Sequence, residues 1–176
     1  MQAPALILTT KTITTMPKTN KVPTEAELYA RFSRQCAMTE YAPADIKQKV
    51  FRAGLDNGAA ERIVDKLTDE GFINEERYTR AFIHDKFELN HWGRKKIEAA
   101  LSQKGIRGAN VQELLETIDE DKYKAVLTDL IKTKNKSIST DNNQERFQKL
   151  LAFAANRGFG LNIAYDVLEK MIRNGD

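Results

Sequence analysis

Apolar residues recur along this chain at intervals of three and four, and no segment alternates well enough to be a strand. Helices are therefore predicted from Thr24 onward. Thr24 with Glu27 forms a capping box, and Leu28, Phe32 and Cys36 carry a first helix to about Met38. Pro43 stands at the opening of a second, where its missing N–H does no harm, and Ile46, Val50 and Phe51 lead on to Gly54. A third helix from Asn57 or Gly58 shows Ala60, Ile63, Val64 and Leu67 and ends at Gly71. The densest signals lie in residues 72–107. Asn74 caps a helix whose first turn holds Glu75 and Glu76, Ile73 and Tyr78 have the spacing of a hydrophobic staple, and Tyr78, Phe82 and Leu89 share a face with Ala81 beside them. His91, Trp92 and Gly93 interrupt the pattern, and Arg94 opens a helix that runs to Lys104 and stops at Gly105. Further helices are predicted at 109–118, 121–133, 144–156 and 161–172, with a polar loop at 134–143.

The order of these helices repeats. When Gly54, Gly105 and Gly158 are superposed, Ile46, Ile97 and Leu150 coincide, as do Leu55, Ile106 and Phe159. The columns Ala60/Val111/Ala164, Ile63/Leu114/Val167 and Val64/Leu115/Leu168 follow at the same offset. One supersecondary unit of helix, helix, Gly-apolar turn and helix thus occurs three times. The expected fold is all-α: an elongated, curved array of three tandem three-helix units, helix-turn-helix-like, at 24–71, 72–118 and 119–176, preceded by a flexible tail at 1–23. Units this small bury little surface alone, so they are expected to stack and share cores. The positions of Ile83 and Phe87 off the Tyr78 stripe fit a middle unit packed on two neighbours.

Composition narrows the class. With 176 residues and 41% hydrophobic content the chain supports a modest core. Thr, Lys and three prolines fill the first 23 residues without any period, and Met16 is a second possible start. The longest early apolar run, residues 5–8, is far below a membrane span and lacks the flank of a secretory signal, so a cytoplasmic protein is expected. Cys36 is the only cysteine, which excludes an intrachain disulfide and zinc-finger spacing.

Net charge is only +3, so its placement matters. Residues 72–107 hold eight basic against five acidic residues, whereas 25–71 hold seven against nine and 108–141 five against seven. Basic residues favour the middle helix of each unit: Lys47, Lys49 and Arg52, then Arg94, Lys95, Lys96 and Lys104, then Arg146, Lys149 and Arg157. In a linear array these would form a stripe along one flank; an ordinary solvated helical face is the other reading. Trp92 beside them suits either stacking on a partner or anchoring a turn. Duplex reading by a third helix is disfavoured, because Glu61, Asp65, Asp69, Glu113 and Glu116 would meet phosphates with the wrong sign. Catalysis has no support: His84 and His91 are the only histidines, no nucleophile motif or phosphate loop is present, and the carboxylate clusters sit at helix starts. Neither a cofactor nor a metal is expected.

The stretch Gly71-Phe72-Ile73-Asn74-Glu75-Glu76-Arg77-Tyr78, with Ala81-Phe82, Trp92-Gly93-Arg94-Lys95-Lys96-Ile97, Leu101 and Lys104-Gly105-Ile106, resembles the RecX family of bacterial recombinase regulators. Phe153 and Arg157-Gly158-Phe159 are similar to that family's closing signature, while Asn74 stands where the family usually has Asp. The resemblance spans residues 28–172. It implies a non-enzymatic, all-helical arc, acting as a monomer, that lodges in the groove of a RecA recombinase filament on single-stranded DNA. Such a protein restrains filament growth, ATP hydrolysis and strand exchange in recombination, DNA repair and the SOS response, and binds DNA with variable strength. Local charge and this match together nominate Arg77, Arg80, Trp92, Arg94, Lys95, Lys96, Lys104 and Arg107 as contacts to the filament or to single- or double-stranded DNA. A nucleic-acid-binding helical module without a protein partner, and a helical adaptor for another protein, are the alternatives.

Overall fold

The computed structural model describes residues 21–174; most of the proposed tail and Met16 lie outside them. Among the described residues there are nine helices and no strand: α1 Glu25–Cys36, α2 Pro43–Arg52, α3 Asn57–Asp69, α4 Glu75–Glu88, α5 Arg94–Gln103, α6 Ala109–Glu116, α7 Glu120–Asn135, α8 Asn143–Asn156 and α9 Leu161–Asn174. Their starts follow from local chemistry. Thr24 and Glu27 close both halves of the capping box on α1, Pro43 occupies the first turn of α2, and the Asp56, Asn74, Asp119 and Asn142 side chains accept from first-turn N–H groups of α3, α4, α7 and α8.

The repeat columns become the core. Ile46, Ile97 and Leu150 are buried, as are all nine residues of the Ala60, Ile63 and Val64 columns; only Leu55 is half-buried. The three repeat glycines all have positive φ, at 96°, 82° and 89°. The residue after each donates its N–H back over the turn, Leu55 to Val50, Ile106 to Leu101 and Phe159 to Ala154. A left-handed glycine thus closes the helix and turns the next apolar side chain inward, which is why glycine and apolar residue recur as a pair.

Every substantial helix–helix packing falls within α1–α3, α4–α6 or α7–α9. The cores nevertheless do not follow a simple rule of three. Leu28, Phe32, Ile46, Val50, Leu67 and Ile73 belong to one cluster built from the first group. The second and third groups share a single larger cluster, running from Tyr78 and Phe87 through Leu101 and Leu127 to Phe159 and Leu168, and Ala42 is its one member from the first group. The repeat predicts core sharing at both junctions. It occurs at one, because the other is lined by Glu40, Asp45, Arg77 and Lys104.

Two local expectations are corrected. Ile73 and Tyr78 join different clusters, so no staple couples them. The inward face of α4 is Thr79, Ile83 and Phe87 with Tyr78, while Leu89 is 74% exposed and Ala81 lies outside. Tyr78 stacks on the half-buried Phe82. Thr79, the sole buried polar residue among those described, donates its hydroxyl to the Glu75 carbonyl at 2.7 Å and so loses nothing by burial.

Candidate interaction surface

The eight nominated residues do not form one surface; they divide by what holds them. Arg94, Arg77 and Lys104 are committed to junctions inside the molecule. Arg94 lies where α4–α6 meets α7–α9. Its guanidinium donates to the carbonyls of Leu115 (3.1 Å) and Ile118 (2.8 Å), pairs with Glu120 at 2.6 Å and sits 4.3 Å from the Tyr123 ring centroid. The planar fork thereby satisfies the Ile118 carbonyl just past the end of α6 and adds a second, shorter bond to the Leu115 carbonyl, which the Ile118 N–H reaches at 3.4 Å. Nearby, the Gly93 N–H donates to the Arg157 carbonyl (2.8 Å), the Lys95 N–H to the Gly158 carbonyl (3.1 Å), and the Arg94 N–H to the Tyr123 hydroxyl (3.1 Å). The Arg157 side chain returns a bond to the Asn90 carbonyl at 3.1 Å. Tyr123 packs between Phe87 and Phe159, and burial pushes its phenol pKa up, against the pull of Arg94.

The junction with the first group is ionic. Arg77 grips Glu40 with two bonds, Nε at 2.6 Å and Nη2 at 3.2 Å, and Lys104 lies 2.8 Å from both oxygens of Asp45. Burial alone would lower the Lys104 pKa, but its bonds to Asp45 and Tyr78 outweigh that and hold it above the ordinary lysine value. Burial raises the Tyr78 phenol in turn.

Arg80, Trp92, Lys95, Lys96 and Arg107 remain outward. Arg80 bonds to Glu76 one turn away within α4, and Arg107 donates only to the Ser102 carbonyl. Trp92 is half-buried against the large core, with Lys96 at 4.6 Å and Lys86 at 5.3 Å from its ring. It is therefore a turn anchor that also presents a cation-flanked edge. The turn depends on His91, at φ 53° the only non-glycine with positive φ among the described residues, and on the Trp92 N–H donating to the Lys86 carbonyl. Lys95 has no carboxylate partner among the described residues. Sequence reasoning missed Lys86, whose signal was its position six residues before Trp92, and also Glu40, Asp45 and Tyr123.

The predicted stripe is depleted in the other groups as well: Lys47 faces Glu61, Lys149 pairs with Glu145, and Arg146 bonds to Asn135 and the Thr140 carbonyl. No group of three His, Cys, Asp or Glu residues among the described positions could hold a metal ion, and no described helix is long and apolar enough to cross a membrane. Cys36 is buried, and desolvation raises its thiol pKa, so it is a core residue.

Residues 74–115, the stretch from the α4 cap to α6, match the family model described as RecX, second three-helix domain. A regulatory protein RecX from Clostridium tetani is 32% identical over 129 residues, covering 72% of this chain and 59% of the relative. One from Clostridium botulinum is 27% identical over 129 residues, covering 72% and 60%. The chain thus spans about three fifths of the length of these relatives. Among solved structures, a regulatory protein RecX superposes with a TM-score of 0.75 at 18% identity, over 82% of this chain and 71% of the other. RecX from Lactobacillus salivarius superposes with 0.72 at 17% identity, over 84% and 96%. Likeness in sequence, in the middle helices and in fold points one way: over the matched residues the chain is similar to RecX regulatory proteins.

Proposed function

We propose that this protein is a non-enzymatic regulator that binds RecA recombinase filaments on single-stranded DNA and restrains their ATP hydrolysis and strand exchange. The observation that carries the reading is a chain of three-helix groups in which Lys95 and Lys96, beside Trp92, meet no carboxylate among the described residues. Such a chain can touch several subunits of a helical polymer at once, and each docked group raises the effective concentration of the next. Arg80, Trp92, Lys95, Lys96 and Arg107 are the proposed contacts. Arg77, Arg94 and Lys104 act indirectly, by fixing how the groups are joined. The likeness to RecX regulatory proteins supports the choice of partner, and the reading of the chain as three separate domains belongs to the same proposal.

The test is the DNA-dependent ATPase of a RecA-type recombinase on single-stranded DNA. Added protein lowers the rate, and the joint variant Lys95→Ala/Lys96→Ala weakens this by about tenfold while helical content stays unchanged. Inhibition equal to that of the parent protein removes the surface. Absence of any effect on the ATPase removes the function.

A further inference from the structure

Helix α7 carries two apolar stripes. Tyr123, Leu127 and Ile131 are buried in the large core, whereas Val126 and Leu130, a step round the helix, are only half-buried and front an open recess of about 480 Å³. Phe153 of α8 lines the same recess. A second recess of about 540 Å³, with Ile138 and Ala152 in its wall, continues from the first across Lys134, Ser137 and Phe153, which line both. The two make one groove along the α7–α8 pair.

Phe153 is the part of the closing sequence pattern that the fold leaves unused. Gly158 approaches Gly93, Phe159 is 1% exposed in the core, and Arg157 bonds across the junction through its carbonyl and its side chain. Phe153 instead is half-buried outside both core clusters, with Lys134 at 5.9 Å and Arg157 at 5.6 Å from its ring centroid.

The charge of the groove is one-sided. Lys134 meets no carboxylate among the described residues, and the Arg157 side chain donates only to the Asn90 carbonyl. Lys149 holds Glu145 in a pair one turn apart whose side chains are about half exposed, an arrangement worth little and readily exchanged. Asp129 is the one acid lining either recess. An occupant must therefore combine an apolar side chain with several negative charges. A nucleic-acid strand fits poorly, because cations already lie over the Phe153 ring and a strand would lay phosphates across Val126, Leu130 and Asp129.

We propose that the α7–α8 groove docks an acidic peptide segment of a partner protein, seating one aromatic or branched aliphatic side chain on Val126, Leu130 and Phe153 and holding the carboxylates beside it with Lys134, Lys149 and Arg157. The apolar anchor supplies most of the affinity, and the cations supply orientation and encounter rate. Asp129 lines only the first recess and Lys149 only the second, so the carboxylates run toward Lys149. The groove goes beyond the recombinase reading: that reading rests on Lys95 and Lys96, the groove on residues of the third group, and the two fail separately.

Fluorescence anisotropy reads it with the full chain and a labelled peptide of one phenylalanine followed by four glutamates. Two companion peptides carry serine for the phenylalanine or glutamines for the glutamates, and each should bind about tenfold more weakly. Lys134→Glu/Lys149→Glu should lose about tenfold for the first peptide, whereas Lys124→Glu/Lys170→Glu, in the separate α7–α9 recess, should lose less than about threefold through net charge alone. Leu130→Gln should lose about fivefold for the phenylalanine peptide and nothing for the serine one. Asp129→Asn, at an exposed position, should gain about twofold and keeps the test open should Leu130→Gln unfold. Failure of the parent protein to bind the first peptide, a companion peptide bound as tightly, equal losses in the two lysine pairs, or no gain in Asp129→Asn overturns the proposal. So does an oligothymidylate that loses as much affinity as the peptide in Lys134→Glu/Lys149→Glu, which gives the groove to nucleic acid, or a dimer of the parent that Leu130→Gln dissociates, which gives it to a second copy.

Discussion

The backbones of Gly93 and Gly158 touch. A β-carbon on Gly93 would lie 2.3 Å from the carbonyl carbon of Gly158, and one on Gly158 would lie 2.3 Å from the Lys96 β-carbon. Gly158 also has φ 89°, whereas Gly93 has an ordinary φ of −77°, so at Gly93 the need for glycine is purely steric. Gly93→Ala should therefore destabilise by about 3 kcal/mol through overpacking of backbone against backbone. Gly105→Ala, where φ is 82° but no atom lies within 4 Å of the added carbon, should lose only about 1–2 kcal/mol from conformation. Thermal unfolding separates the two, at roughly 2–4 °C per kcal/mol for a chain of this size.

Arg94 makes a second prediction. Arg94→Ala leaves the Ile118 carbonyl without a donor and the Leu115 carbonyl with only the long bond from the Ile118 N–H, and should destabilise by about 2 kcal/mol. Arg94→Lys should recover less than half of this, because one ammonium cannot span both carbonyls and lie flat on Tyr123. Urea unfolding of the three proteins measures it, and a lysine variant as stable as the parent would show that the planar fork is not what holds this junction.

Alkaline stability follows from the junction with the first group. Lys104 has a raised folded pKa, so the stability it lends is complete below its unfolded value near 10.4 and is lost as pH climbs through the folded one. Tyr78 and Tyr123 act in the same direction, since the folded state keeps both phenols protonated after the unfolded chain has begun to ionise them. Melting temperature should fall above about pH 10. The fall should be shallower in Lys104→Met, and a double-mutant cycle of Lys104→Met with Asp45→Asn should give a coupling of about 1 kcal/mol that shrinks with salt. A cycle with no coupling sinks the ionic account of this junction.

Trp92 offers a reporter. It is the chain's only tryptophan and lies between Lys86 and Lys96. Its emission should shift when a filament engages this edge and should not shift in Lys95→Ala/Lys96→Ala.

Helix positions are legible because caps and turns are written locally: Thr24 with Glu27, Pro43, Asn74 and the three repeat glycines each act on the backbone within a few residues. The site is less so. In the sequence Arg94 looks like one of three equivalent basic residues, because its partners are carbonyls, which no side-chain pattern encodes. Gly158 reads as a helix stop, and its approach to Gly93 depends on how two groups dock. Leu89 is misplaced because the buried face of α4 runs through Thr79, Ile83 and Phe87 and not along Tyr78 and Phe82, so Leu89, still helical with its N–H on the Asp85 carbonyl, follows the Phe82 side into solvent.

The two junctions distribute compliance unequally along the body. Torsion applied across the α5–α8 side must break backbone bonds and open a shared core, whereas the same torsion at Glu40 and Asp45 works mainly against two half-buried charge pairs around Ala42. Bending the protein should therefore move α1–α3 more readily than it parts α4–α6 from α7–α9, and raising the ionic strength should soften the first junction and leave the second unchanged.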